Sequence, residues 1–168
     1  MAELGPLKQY KDIESIADQN LFSGKCAIAR RQYSRLLSSV MEKDHLFKAR
    51  ILRKTGTTYN QQWRFREAVS WYEQAEASLQ KAGETPDRWN EWIELQIEYH
   101  YCTMHVTMGI FDETRKDKIK AILKAYGTSL QKIRYSFVIY TDLLWKNKWY
   151  NLPDESIVVC ESLIKAGK

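Results

Sequence analysis

The chain has 168 residues, a formal net charge of +5, 44% hydrophobic residues, and only seven glycines and three prolines. That length suffices for one domain, or for a short solenoid burying about two-thirds of its unfolded surface. So little glycine and proline, with almost no alternating runs of β-branched residues, excludes an all-β fold and points to an all-α one. No apolar run approaches the ~18 residues of a membrane span, and MAELGPLKQYKDIE lacks the basic-then-apolar order of a secretory signal, so a cytoplasmic protein without membrane contact is expected.

In chain order, residues 1–6 read as a terminal segment. Ile13, Ile16, Ala17, Leu21 and Phe22 then trace a helical stripe closing at Ser23 and Gly24. Ala29, Tyr33 and Leu36, at steps of four and three, mark a second helix, so residues 10–40 are expected to form a hairpin. Leu52, Gly56 and Tyr59 repeat those steps, as do Ala68, Tyr72 and Ala75. At about 100° per residue, the span from Tyr59 to Ala68 would send the two trios to opposite sides of one straight helix. A turn near residues 63–65 brings them together. Gly56 and Ala68 let two backbones approach closely, while Tyr59 and Tyr72 fill the space beside them. The spacing predicts a hairpin over residues 46–82, ended by Gly83 and Pro86.

Leu52, Gly56, Tyr59, Phe65, Ala68, Tyr72 and Ala75 together resemble the signature of a tetratricopeptide repeat, a helix hairpin of about 34 residues. Gln80 stands where that family usually has a helix-ending proline. Ala29 precedes Ala68 by 39 residues, so the connection around residues 41–45 is expected to exceed the family's usual length. The resemblance implies an all-α, right-handed superhelix of about four antiparallel hairpins forming a single domain over residues 1–168.

AGETPDRWNEW gives a break, with Asp87 as the expected helix cap. A long helix from Trp89 to Met108 carries Trp92, Ile93, Ile97, Tyr101, Met104 and Met108, a stripe wide enough to meet two neighbours. Gly109 to Asp112 read as a turn, and Ile119, Ile122, Leu123 and Tyr126 as the next helix, closed by Gly127, giving a third hairpin over residues 88–126. Thr128 caps a fourth, residues 128–166, with Leu130, Ile133, Phe137, Tyr140 and Leu144 facing its core. Its last helix starts at Pro153 and Asp154 and carries Ile157, Val158, Cys160, Leu163 and Ile164. Residues 89–165 also resemble tetratricopeptide regions of bacterial STAND-type ATPases and transcriptional regulators, which implies a sensor arm or fragment of a larger signalling protein. Neither Gly24-Lys25 nor Gly167-Lys168 has the rest of a phosphate-binding loop.

No nucleophile elbow or His-Glu-x-x-His pattern occurs. His100, Cys102 and His105 diverge by about 140° to 200° on one helix and do not converge on an ion. Asp112-Glu113 and Asp154-Glu155 sit at expected helix starts, where negative charge offsets the dipole. The odd, widely spaced Cys26, Cys102 and Cys160 read as reduced core thiols. No catalytic residue, metal or cofactor is expected.

Charge is uneven. Residues 24–66 hold 11 Lys or Arg against Glu42 and Asp44, an excess of 9 that leaves the remainder at −4. Arg50, Arg53, Lys54, Thr57 and Gln61 fall within about 100° of arc, roughly opposite Leu52, Gly56 and Tyr59. The resemblance implies that such first-helix positions line a concave groove for extended peptides, with Gln96, Tyr99 and Thr103 extending it. Arginine suits a carboxylate because its planar fork takes both oxygens. The expected partner is therefore another protein or an acidic peptide. An ordinary solvated face is the bland alternative. Two further alternatives are nucleic acid bound through the basic 24–66 region, with Tyr33, Tyr59 and Trp63 as stacking platforms, and self-association through Trp145, Trp149 or the last helix.

Overall fold

The computed structural model describes residues 4–40, 43–108, 110–147, 158 and 161, and among them contains seven α-helices and no strand. None of these helices is long and apolar enough to cross a membrane. The chain divides into two units, Met1–Gly83 and Glu84–Lys168.

The first unit contains α1 (Leu4–Phe22), α2 (Cys26–Ser39), α3 (His45–Asn60) and α4 (Phe65–Leu79), each packed on the next in sequence. Gly24 makes the first turn with φ +73, a left-handed conformation that costs glycine little. Ala17, Ala29, Tyr33, Leu36 and Ile51 form the core between α1, α2 and α3. Ala49, Leu52, Ala68, Tyr72, Ala75 and Leu79 are also buried. The expected α3–α4 packing is present: a methyl group added at Gly56 would lie 2.7 Å from Tyr72 Cδ1 and 3.2 Å from the Ala68 carbonyl oxygen. Asp44 caps α3 by accepting from the Phe47 amide at 3.1 Å.

Three expectations for these helices and the break that follows them need correction. Ile16 and Phe22 are exposed, because the buried side of α1 runs through Ala17, which the stripe included, and Glu14, which it did not. The second helix of the central hairpin stops at Leu79 rather than at Gly83, with Gln80, still in helical conformation, closing it through its amide. The cap after the break is Thr85, whose hydroxyl accepts from the Arg88 amide at 3.2 Å with Pro86 in the first turn, so Asp87 lies inside the helix.

The second unit contains α5 (Pro86–Val106), α6 (Glu113–Tyr126) and α7 (Ser129–Lys146), with α6 and α7 both packed on α5. Asp112 caps α6, while Thr128 and Gln131 form a reciprocal capping box on α7. Trp92, Ile93, Leu95, Ile97, Cys102 and Met104 of α5 are buried, but so are Glu91, Gln96, Glu98 and His100. Polar pairs meet them: Arg115 donates to Gln96 at 2.8 Å, and Lys116 of α6 bonds Asp142 of α7 at 2.5 Å with both side chains almost wholly buried. Arg134 pairs with Glu94, which also accepts from Gln131 at 3.0 Å.

The face of α7 is the main departure. Leu130 and Phe137 are exposed, whereas Gln131, Tyr135, Val138, Thr141 and Asp142 are buried. The helix is oriented by its capping box and ion pairs rather than by its most apolar stripe. Met108 and Tyr126, also expected in stripes, are exposed. Gly109, Trp149, Pro153, Asp154, Ile157, Cys160, Leu163 and Ile164 lie outside the described residues, and Val158 is exposed.

Burial of His100 has a measurable consequence. Its ring stacks on Phe111 at 3.7 Å, both nitrogens lack a hydrogen-bond partner among the described residues, and burial, then the Lys116 charge, pushes its pKa down to about 3. Unfolded, it protonates near 6.5. The unfolded state therefore binds more protons between these values, and stability falls as pH drops below 6.5, by up to about 1.4 kcal/mol per pH unit. Urea unfolding at about pH 7 and pH 5, above the titration range of Glu113, should show this loss in the parent. It should be absent in His100→Leu.

Candidate interaction surface

The five expected groove residues on α3 and at its C-cap, Gln61, are positioned differently from one another. Lys54 is half-buried and bonds both Glu14 at 2.5 Å and Asp18 at 2.6 Å. Asp18 in turn accepts from the Tyr33 hydroxyl at 2.6 Å, and burial, followed by this bond, raises the tyrosine pKa. Lys54 thus ties α3 to α1, its charge already met by two carboxylates. Arg50 is half-buried and lines a small pocket of about 100 Å³ with Tyr10, Phe47 and Lys11, where Glu14 and Asp44 are also present. Arg53 is half-buried; Thr57 donates to the Arg53 carbonyl at 3.1 Å. Gln61 is exposed and accepts from Cys26 Sγ at 3.3 Å.

Gln96, Tyr99 and Thr103 belong to the second unit. Gln96 is fully buried on Arg115, whose guanidinium also lies 4.3 Å from the Tyr99 ring centre. Thr103 is half-buried, with no hydrogen-bond partner for its hydroxyl oxygen among the described residues. His100 and His105 face different surroundings: the first lies against Phe111 and Tyr135, the second against Tyr101 and Trp145. Among the described residues no group of three or more His, Cys, Asp or Glu could hold a metal ion.

The first unit also has an edge of a different character. Its α1–α2 and α3–α4 turns are held side by side by the Cys26–Gln61 contact and by Arg30, which donates to Gln62 at 2.6 Å and to the Thr58 hydroxyl at 2.9 Å. The Arg30 guanidinium lies 3.6 Å from the Tyr59 ring centre, Arg64 lies 4.8 Å from it, and Trp71 stacks on the same tyrosine at 6.3 Å. From this edge project Phe22, 93% exposed, and Trp63, 74% exposed. Trp63 has φ +60, which costs a bulky L-residue roughly 1–2 kcal/mol. Lys25, Arg31 and Arg66 are exposed on the same turns and first helical residues, and Glu67, paired with Arg64 at 2.7 Å, is the one acidic residue across 22–31 and 60–67.

The sequence reading placed Phe22 in a core stripe and Trp63 in the turn of the central hairpin, as a stacking platform. The signal was a tryptophan inside the polar turn QQWR, where a small residue would suffice. Of the three suggested nucleic-acid platforms, Tyr33 is fully buried and Tyr59 is covered by Arg30. No protein-family model, curated protein or solved structure matches the chain.

Proposed function

We propose that the chain is a non-catalytic, tetratricopeptide-like module that binds an acidic segment of another protein. Contact starts at the aromatic and basic turn edge and runs toward Arg50 and Arg53 on α3. The observation that carries this reading is Trp63, exposed and held in a left-handed conformation on the edge that also carries exposed Phe22, Lys25, Arg31 and Arg66. Folding alone favours glycine or asparagine at such a position, whereas aromatic and arginine side chains are the ones that concentrate binding energy. Lys54 has a supporting role, bracing α3 on α1.

The test uses a photo-crosslinking phenylalanine analogue at position 63, with exposed Glu73 on α4 as the control site. Position 63 should capture an acid-rich protein, competed by polyglutamate, and Arg66→Glu should reduce capture. Equal capture at both sites, or displacement by a single-stranded oligonucleotide but not by polyglutamate, overturns the reading. A companion measurement separates stability from binding: Trp63→Asn should stabilise the fold by about 1 kcal/mol, since asparagine tolerates positive φ, while weakening capture.

A further inference from the structure

We propose that the cleft between α6 and α7 binds a small anionic amphiphile, an alkyl or aryl chain ending in a single carboxylate. This site shares no residue with the turn edge and belongs to the other unit. The cleft has a volume of about 380 Å³, within the roughly 300–1,000 Å³ of small-molecule sites. Its apolar walls are Leu123 from α6 and Tyr135 and Ile139 from α7. Lys120, Lys124 and Lys132 stand around them, together with Ser136, and among the described residues no carboxylate lines the cleft.

Spacing makes this arrangement regular. Lys120 and Lys124 are four residues apart on α6, as are Lys132 and Ser136 on α7, so each helix contributes a polar row along one side. Lys120 reaches Asp117 at 3.4 Å, with both side chains exposed, while Lys124 and Lys132 have no partner among the described residues. The smaller pocket beside Arg50 differs, because Glu14 and Asp44 offset its cations. Three ammonium groups around apolar walls select a ligand by both properties at once: the walls take a chain, and the lysines require its end to be negative. A neutral or cationic chain of equal length lacks the second interaction, and an acidic peptide without an apolar anchor lacks the first.

Titration calorimetry with decanoate, below its micellar concentration, tests the proposal against decanol and decylammonium as probes of equal length. Decanoate should bind saturably at one site per chain, more weakly as salt is raised. Lys124→Glu with Lys132→Glu, both surface changes that leave the core intact, should weaken it at least about tenfold. Ser136→Trp, which fills the cleft, should abolish it while circular dichroism stays unchanged. Binding of decylammonium as tight as that of decanoate, or undiminished decanoate binding in the double lysine variant, overturns the proposal. Binding of polyglutamate but not decanoate through the same lysines also overturns it, in favour of a peptide surface.

Discussion

Replacing Lys116 with methionine is expected to destabilise the second unit by about 3–5 kcal/mol, because Asp142 would be left charged and buried. Asp142 is almost wholly inaccessible, its Oδ1 already lacks a hydrogen-bond partner among the described residues, and its Oδ2 is held by Lys116 at 2.5 Å. Lys146, at 3.5 Å and more exposed, is too distant to take over as a hydrogen-bond donor without moving. The pair itself need not be strongly favourable, since its desolvation cost is large. Lys116→Met with Asp142→Leu should therefore recover most of the loss. Urea midpoints for the two single variants and the double variant measure the coupling. Additive single losses in the double variant would refute it.

The second large effect lies in the first unit. Tyr72→Ala should cost about 3–5 kcal/mol, since a fully buried aromatic is removed from a closely packed hairpin. Gly56→Ala should cost about 1–3 kcal/mol by pressing a methyl group into the Tyr72 ring. Combined, the two should be markedly less than additive, because the alanine methyl at 56 enters the space the ring has left. Thermal unfolding of the four members of this cycle gives the answer. Simple additivity would mean that the contact does not limit helix approach.

These same residues show what the sequence made legible. Gly56, Ala68 and Tyr72 announce their hairpin because local spacing alone puts small beside large, and Ala29, Tyr33 and Leu36 do so for α2. The orientation of α7 was hidden for the opposite reason. Its anchors are Gln131, Arg134 and Asp142, whose partners on α5 and α6 lie 26 to 41 residues away, while Leu130 and Phe137 supplied a misleading apolar stripe. Lys54 looked like a free groove cation because Glu14 and Asp18 are 40 and 36 residues distant. Periodicity reports which residues share a face; it does not report which charges will find each other across helices.

Because α5 carries both α6 and α7 and buries residues on nearly every side, its backbone amides cannot meet solvent by fraying of either neighbour alone. Amide hydrogen exchange in the second unit should therefore be hierarchical. The slowest amides should cluster around residues 93–104 of α5 and exchange only on global opening, while α6 and α7 exchange sooner through independent local openings.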